Sequence, residues 1–131
     1  MTVESAHAVG VAWLGPVRVN GSAWAARDDE TVWLPKGKHT LEPGREDPPL
    51  VLRHFSGELR QLHSAGPLLE FHYRSEARAI ATFNVPPTKL WVDGEQIAAP
   101  VYEAAHGYYL LLPAGEHLVS VEAPFGEVSS R

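Results

Sequence analysis

The sequence predicts an all-β fold, an immunoglobulin-like β-sandwich of about eight or nine short antiparallel strands. Glycine and proline occur 11 times each in 131 residues and are spread along the chain, which is typical of many short strands joined by turns. Segments of alternating apolar and polar residues lie between these turn residues. A strand–turn–strand pattern also occurs twice. Because two or three short strands are marginal alone, we expect both copies to pack together in one domain over residues 1–131.

The repeated pattern has two parts. The first part, apolar–x–apolar–Asn/Asp–Gly, lies at 17–21 and 90–94, and the second, Leu–Pro–x–Gly–x–His, lies at 34–39 and 112–117. The first parts are offset by 73 residues and the second parts by 78, so the later copy has the longer connection. Asn-Gly and Asp-Gly favour hairpin turns because both residues tolerate positive φ, and Pro-x-Gly sets a second turn. The repeat units are predicted over residues 9–44 and 69–123.

Other segments are assigned from their local pattern. Further strands are predicted at 8–14, 69–74 and 77–83. The last two are expected to form a hairpin through Arg74-Ser75-Glu76, with Leu69, Phe71 and Tyr73 on the buried face. Residues 42–49 are rich in proline, glycine and charge and predict an exposed loop, and residues 56–63 predict one helical turn with Ser56 as N-cap.

Composition excludes several classes of function. The formal net charge is −5 and the sequence has no Lys/Arg cluster, which disfavours nucleic-acid binding. There is no cysteine, so disulfides, thiolate metal sites and cysteine nucleophiles are excluded. No apolar run approaches the roughly 18 residues of a membrane span, and residues 1–5 do not begin a signal peptide. An extracellular or periplasmic location is expected only if the chain is a piece of a secreted parent.

No catalytic motif is present, and we expect a non-enzyme without cofactor or metal. Gly-x-Ser-x-Gly, His-Glu-x-x-His and the phosphate-binding loop are all missing from the sequence. His54, His63 and His72 are evenly spaced, but a spacing of nine matches no local ligand motif for zinc. The acidic residues at 28–30 and 46–47 lie in predicted turns and loops, where charge usually means solvation. Oligomers are compatible with the sequence.

His39 and His117 occupy equivalent positions of the repeat. Equivalence favours a shared structural role over catalysis. We expect each imidazole to bond to the backbone near its own Pro-x-Gly turn, so that replacing either histidine by alanine lowers the melting temperature.

The aromatic residues provide the candidate ligand or interface site. Neighbours in a strand alternate faces, so Leu90 and Val92 facing inward would direct Trp91 outward, as expected for its repeat equivalent Arg18. An exposed tryptophan can stack on a sugar or anchor a protein interface, and Tyr102 and Tyr108 could extend this aromatic surface. The alternative is that a loop or a neighbouring domain covers Trp91. The other aromatic residues Trp13, Trp24, Trp33 and Tyr73 are expected in the core.

The repeat also carries a resemblance to known domains. It rests on residues 73–75, 78–81, 86–87, 90–94 and 112–117. These motifs resemble non-catalytic β-sandwich domains at the C-terminal end of bacterial glycosidase-like proteins, and the Val-Asp-Gly plus Gly-x-His pattern is also similar to PEGA-type surface modules. The resemblance implies an accessory module of a secreted or envelope bacterial protein linked to carbohydrate processing. Its partner would be a catalytic domain of the same parent chain or a glycan; the alternative is a protein-interaction or oligomerisation module.

Overall fold

A computed structural model describes residues 1–123, and within this range every regular element is a β-strand. The strands are β1 (Thr2–Ser5), β2 (Val9–Ala12), β3 (Val17–Val19), β4 (Ser22–Ala23), β5 (Thr31–Leu34), β6 (Gly37–Pro43), β7 (Leu52–Phe55), β8 (Glu58–Ala65), β9 (Leu68–Ser75), β10 (Ala79–Phe83), β11 (Lys89–Val92), β12 (Glu95–Ile97), β13 (Tyr102–Ala104), β14 (Gly107–Leu112) and β15 (Gly115–Glu122). The predicted all-β class is confirmed. Fifteen strands replace the expected eight or nine because several hairpin arms are only two to four residues long.

The strands form four antiparallel sheets. Two sheets come from the N-terminal part, with strand orders β1-β6-β3-β4 and β2-β5. The other two, with orders β12-β11-β15-β9-β8 and β13-β14-β10-β7, come from the rest of the chain. Among residues 1–123, none forms a helix with the length and apolarity that a membrane crossing requires.

The structural repeat is longer than the repeated motif. Strands β1 to β6 pair among themselves as β9, β10, β11, β12, β14 and β15 do. The registers agree: Val3 lies opposite His39 as Tyr73 lies opposite His117, and Val9 lies opposite Leu34 as Ala79 lies opposite Leu112. We call Thr2–Pro43 the first copy and Leu68–Glu122 the second copy. Strands β7 and β8 lie between the two copies in the chain.

Both hairpin turns have the predicted backbone. Asn20 and Gly21 have φ values of 54° and 87°, and Asp93 and Gly94 have 54° and 86°. Two consecutive residues with positive φ match the right-handed twist of the flanking strands, which is why Asn-Gly and Asp-Gly are favoured here. The repeated motif therefore specifies the same turn twice.

Buried side chains from both copies belong to one hydrophobic cluster. As predicted, Leu69, Phe71 and Tyr73 alternate onto the buried face of β9 and are each at most 1% exposed. Phe55 of β7 packs edge-on against the rings of Phe71 and Tyr73, at centroid distances of 5.5 and 5.1 Å. An intervening strand thus packs against the core face of the second copy.

Not every aromatic residue assigned to the core is fully buried. Trp24 is 8% exposed and Tyr73 is fully buried, as expected. Trp13 and Trp33 pack against the cluster but are only half-buried. The Trp33 ring meets His54 edge-on at 5.7 Å, and its Nε1–H donates to the Arg53 carbonyl at 2.8 Å. The Arg53 carbonyl that accepts this hydrogen bond lies near the surface, so part of the Trp33 ring remains in contact with solvent.

The helical turn predicted at 56–63 is wrong. This segment enters β8, which pairs along its length with β9. The pairing shifts between Leu59 and Gln61, so Arg60 is an extra, bulged residue. The bulge places the inward residues Leu59 and Leu62 three positions apart, and this spacing imitates the apolar period of a helix.

The predicted hairpin between β9 and β10 is also wrong. Strand β9 pairs with β15 and β8, whereas β10 pairs with β14 and β7, so the connection through Arg74-Ser75-Glu76 passes from one sheet to the other. The Ser75 hydroxyl donates to the Ala77 carbonyl at 2.7 Å within this connection. A local turn signal is therefore present, but it does not join neighbouring strands.

The loop predicted at 42–49 begins later and is anchored. Strand β6 continues to Pro43. In the loop, Asp47 accepts hydrogen bonds at 2.8 and 3.0 Å from Nη1 of Arg27, which is only 8% exposed. The acidic pair at 46–47 is thus not simply solvated, because Asp47 neutralises a buried guanidinium.

Candidate functional site

In the first copy, three hydrogen bonds connect Asn20 of the hairpin turn, His39 and nearby backbone groups. The Oδ1 atom of Asn20 accepts from the Thr40 N–H at 2.9 Å, and its Nδ2 lies 3.0 Å from Nδ1 of His39. The Nε2 atom of His39 lies 3.0 Å from the Pro35 carbonyl. The imidazole therefore joins the hairpin turn to the Pro-x-Gly turn.

The second copy repeats this arrangement with a carboxylate. The Oδ1 atom of Asp93 accepts from the Leu118 N–H at 2.9 Å, and its Oδ2 lies 2.6 Å from Nδ1 of His117. The Nε2 atom of His117 lies 2.8 Å from the Ala114 carbonyl. The predicted backbone bond of each histidine is confirmed, and we call the pairs Asn20–His39 and Asp93–His117 the two turn locks.

The locks differ in charge. Both nitrogens of His117 face oxygen acceptors, so both must carry hydrogen, and the hydrogen bonds to Asp93 and then to the Ala114 carbonyl raise the pKa of His117. The hydrogen bonds from His117 and from the Leu118 N–H lower the pKa of Asp93. In the first copy, by contrast, a neutral imidazole satisfies both contacts by donating from Nε2 and accepting at Nδ1.

The pH range of the second lock follows from these directions. A raised histidine pKa contributes stability that is complete below the unfolded value, about 6.5, and is lost as pH rises through the folded pKa. A lowered aspartate pKa contributes stability that is present above about 3.9 and is lost as pH falls through the folded pKa. The Asp93–His117 lock is therefore strongest between about pH 4 and pH 6.5.

Tyr73, on the buried face of β9, stabilises the Pro-x-Gly turn of the second copy. Its hydroxyl donates to the Pro113 carbonyl at 2.7 Å, and its ring lies 5.8 Å from that of His117. Burial, followed by the nearby charge of Asp93, raises the pKa of Tyr73 to about 12. The phenol therefore stays protonated near neutral pH and acts as a hydrogen-bond donor to the turn.

The candidate Trp91 has the expected orientation. It follows the buried Leu90 on β11 and is half-buried on the opposite, outer face of the five-stranded sheet. Across the sheet it lies opposite Gln96 on β12 and Ser120 on β15. Ser120 in turn lies opposite Glu70, and its hydroxyl is 3.4 Å from the Glu70 carboxylate. Trp91 thus lies within a row of polar side chains, between Gln96 and Ser120.

The other two candidates do not join Trp91. Tyr102 and Tyr108 belong to the sheet β13-β14-β10-β7, whereas Trp91 belongs to the five-stranded sheet. Tyr102 is 42% exposed and stacks on Tyr109, with ring centroids 5.1 Å apart and planes at 25°. Tyr108 alternates with Tyr109 and so shares the side of the buried Leu110. Among the described residues, the ring that Tyr102 stacks on is therefore Tyr109 and not Trp91.

Tyr102 instead belongs to an apolar surface. Ile80 is 41% exposed, and its strand neighbour Leu111 lies with Tyr102 and the 37%-exposed Ile97 around one shallow groove. Val101, beside Tyr102 in the chain, is 38% exposed. We define the apolar strip as Ile80, Ile97, Val101, Tyr102, Tyr109 and Leu111. Four of these six residues are exposed, and exposed apolar side chains that lie near one another can mark an interaction surface.

A cleft that no sequence motif predicted lies between the two copies. Its volume is about 420 Å³, within the range of small-ligand sites. The first copy lines it from its two turns and the second copy from β9 and β15, with β8 beside them. The lining residues are Asn20, Trp24, Pro35, Lys36, His39, Arg60, Gln61, Leu62, His63, Glu70, Phe71, His72 and Leu118. We call this the inter-copy cleft.

The inter-copy cleft and the row at Trp91 are continuous. Glu70, which lies opposite Ser120 in the row, also lines the cleft, and its partner on the next strand, β8, is His63. Adjacent strands lie about 4.8 Å apart, so Trp91 is about 10 Å from the strand that carries Glu70. One extended ligand could therefore contact both.

Within residues 1–123, no three histidine or acidic side chains are grouped in a way that could hold a metal ion. His54, one of the three evenly spaced histidines, is on β7, while His63 and His72 are on β8 and β9 in another sheet.

Comparison of the chain with protein-family models, with curated proteins and with solved structures finds no match. The residues themselves are therefore the basis for assigning a function.

Proposed function

We propose that the chain is a non-catalytic accessory module of a secreted or envelope bacterial protein involved in carbohydrate processing, with an immunoglobulin-like sandwich arrangement of its sheets. In this proposal the module binds a glycan weakly. The observation that carries the proposal is the continuous surface from Trp91 through Ser120 and Glu70 into the inter-copy cleft.

The chemistry of this surface suits a sugar. A half-buried tryptophan offers a rigid ring face for the apolar side of a pyranose while its own packing keeps it in place. Gln96, Ser120 and Glu70 supply amide, hydroxyl and carboxylate groups, respectively, that can hydrogen-bond sugar hydroxyls. A shallow, open surface of this kind favours weak binding because the ligand remains partly hydrated.

The groups that look catalytic have structural uses. Asp93 and His117 form a close acid–histidine pair, but both side chains are committed to backbone groups of two turns. Among the described residues, no serine hydroxyl is hydrogen-bonded to His39 or His117 of the two turn locks. This use of the pair favours a binding module over a hydrolase.

Titration of the protein with a panel of soluble polysaccharides, followed by tryptophan fluorescence, tests the proposal. We expect at least one glycan to shift the emission and Trp91→Ala to weaken its binding about two- to tenfold. Tyr102→Ala is the matched control, since it removes an exposed aromatic ring from the other sheet and should leave glycan affinity unchanged. A flat response to every glycan would overturn the proposal.

A second candidate function is a protein-interaction or oligomerisation module, and the apolar strip favours it. Tyrosine and aliphatic side chains are common at the centres of interfaces. Sedimentation velocity at two concentrations decides whether the chain associates with itself, and Tyr102→Glu should abolish that association. A strict monomer at both concentrations removes self-association as the use of this strip.

A further inference from the structure

The inter-copy cleft has a charge that differs from that of the whole chain. Two permanent cations, Lys36 and Arg60, line it together with His39, His63 and His72, against the single carboxylate of Glu70. The chain as a whole carries a formal charge of −5. With the histidines neutral, the two cations and one carboxylate give the lining a formal charge of +1, and Glu58 and Glu116 lie beside Arg60 at its border. The lining is thus locally positive on a negative chain, which can attract an anionic ligand.

Several of these side chains are already partnered. His72 lies 2.9 Å from Glu116, and His39 belongs to the first turn lock. Arg60 lies 3.5 Å from Glu58 and 3.9 Å from Glu116, which are long distances for ion pairs, and its buried Nε has no hydrogen-bond partner. Because Nε is buried, an incoming acceptor would reach Arg60 at its Nη atoms, whose contacts with Glu58 and Glu116 are long.

Lys36 is the more available cation. No ion pair among residues 1–123 involves Lys36, and the residue is exposed at the turn between β5 and β6. Because this turn is fixed by the His39 bond to the Pro35 carbonyl, the base of the lysine side chain has a defined position beside the cleft.

The first copy places an uncharged amide at the cleft where the second copy has a carboxylate paired with its histidine. Asn20 lines the cleft, whereas its equivalent in the second copy is Asp93. The second copy shows that an aspartate can make the same contacts to a backbone N–H and to a histidine. The turn geometry therefore permits either residue, and the residue present at the cleft is the uncharged one.

The remaining lining matches a ring with hydroxyl groups. Trp24 donates its indole N–H to the Trp33 carbonyl at 3.0 Å, so it presents only ring carbons to a ligand. Leu118 adds a second apolar contact and is 43% exposed. Glu70 can accept hydrogen bonds from hydroxyls on the side that leads to Trp91.

We propose that the inter-copy cleft recognises an acidic saccharide, with the sugar carboxylate at Lys36 and Arg60 and the sugar hydroxyls toward Glu70. The ligand class is a uronate-containing oligosaccharide, whose next residue would extend over Ser120 to Trp91. This inference rests on the proposed glycan-binding function and adds the charge of the ligand to it.

Digalacturonic acid and its dimethyl ester are the matched probes, because esterification removes the charge and changes little else. Chemical-shift titration by NMR gives the affinity of each. We expect the acid to bind about tenfold more tightly than the ester, and Lys36→Gln to reduce this ratio to about two. Lys38→Gln, an exposed lysine outside the cleft, should leave the ratio unchanged.

Equal binding of acid and ester, or an unchanged ratio in Lys36→Gln, would overturn the acidic preference and leave glycan binding intact. Binding of neither probe, together with a flat response to the polysaccharide panel, would overturn both proposals. Glutarate displacing the acid with equal affinity would show a carboxylate site without sugar recognition, and so refute this inference.

Discussion

Replacing Asn20 separates the two contributions of a turn lock, its side-chain hydrogen bonds and its left-handed backbone. The side chain makes two hydrogen bonds, at 2.9 and 3.0 Å, both exposed, and we assign about 1 kcal/mol to their joint loss. Alanine must also adopt φ of 54°, which costs about 1–2 kcal/mol. Asn20→Ala should therefore destabilise the fold by about 2–3 kcal/mol.

Asn20→Gly removes the same hydrogen bonds but has no strain at positive φ. The greater conformational entropy of glycine in the unfolded chain costs about 0.5–1 kcal/mol, so the total is about 1.5–2 kcal/mol. Urea unfolding of both variants measures these free energies, and the m-value should stay constant. Ser22→Ala, an exposed change just beyond the turn, is the control and should stay within about 0.5 kcal/mol of the parent protein. If alanine proves no worse than glycine, the left-handed backbone is not a source of stability here and the reasoning fails.

Three further variants test other parts of the fold. Asp93→Asn gives the second lock the chemistry of the first, so the pKa of His117, followed by NMR, should fall, and stability should depend less on pH below about pH 4 and above about pH 6.5; an unchanged His117 titration would contradict the assigned ion pair. Tyr73→Phe leaves the Pro113 carbonyl without its donor and should cost about 1–2 kcal/mol in urea unfolding, whereas a cost near zero would show that water replaces the hydroxyl. Gly107→Ala should lower the melting temperature, because φ is 144° and the new Cβ would overlap a carbonyl oxygen of the neighbouring strand; an unchanged melting temperature would show that this strand can move aside.

The features predicted best from the sequence are those decided within a few residues. The Asn20-Gly21 turn, the burial of alternate residues on β9 and the outward direction of Trp91 each follow from backbone preference and alternation. The backbone bond of each histidine was predictable as well, because a repeated residue at a repeated turn meets the same backbone twice, whereas the side-chain contacts with Asn20 and Asp93 were not predicted.

The features that were missed depend on strand pairing. Arg60 could not be identified as a bulge without knowing that β9 lies beside it, and the helical turn was predicted instead from Ser56 as an N-cap. Strands β1 and β9 have equivalent positions in the two copies but almost no sequence in common, since Val3 and Tyr73 share only their apolar character. A buried strand position accepts several apolar side chains, whereas a turn with positive φ accepts few residue types. The turn motif is therefore the same in both copies while the strand sequences differ.

The inter-copy cleft was unpredictable for a related reason, and this reason also indicates where function lies. Positions that agree between the copies, such as the two histidines, are explained by the scaffold. Positions that differ need another explanation: Trp91 stands where the first copy has Arg18, and Asn20 stands where the second copy has Asp93. Strand β8, which lies beside the cleft, precedes the second copy, while no strand described here pairs on the same side of β1. A duplicated scaffold alone would present two equivalent surfaces, so the differences between the copies are what make one surface a candidate site.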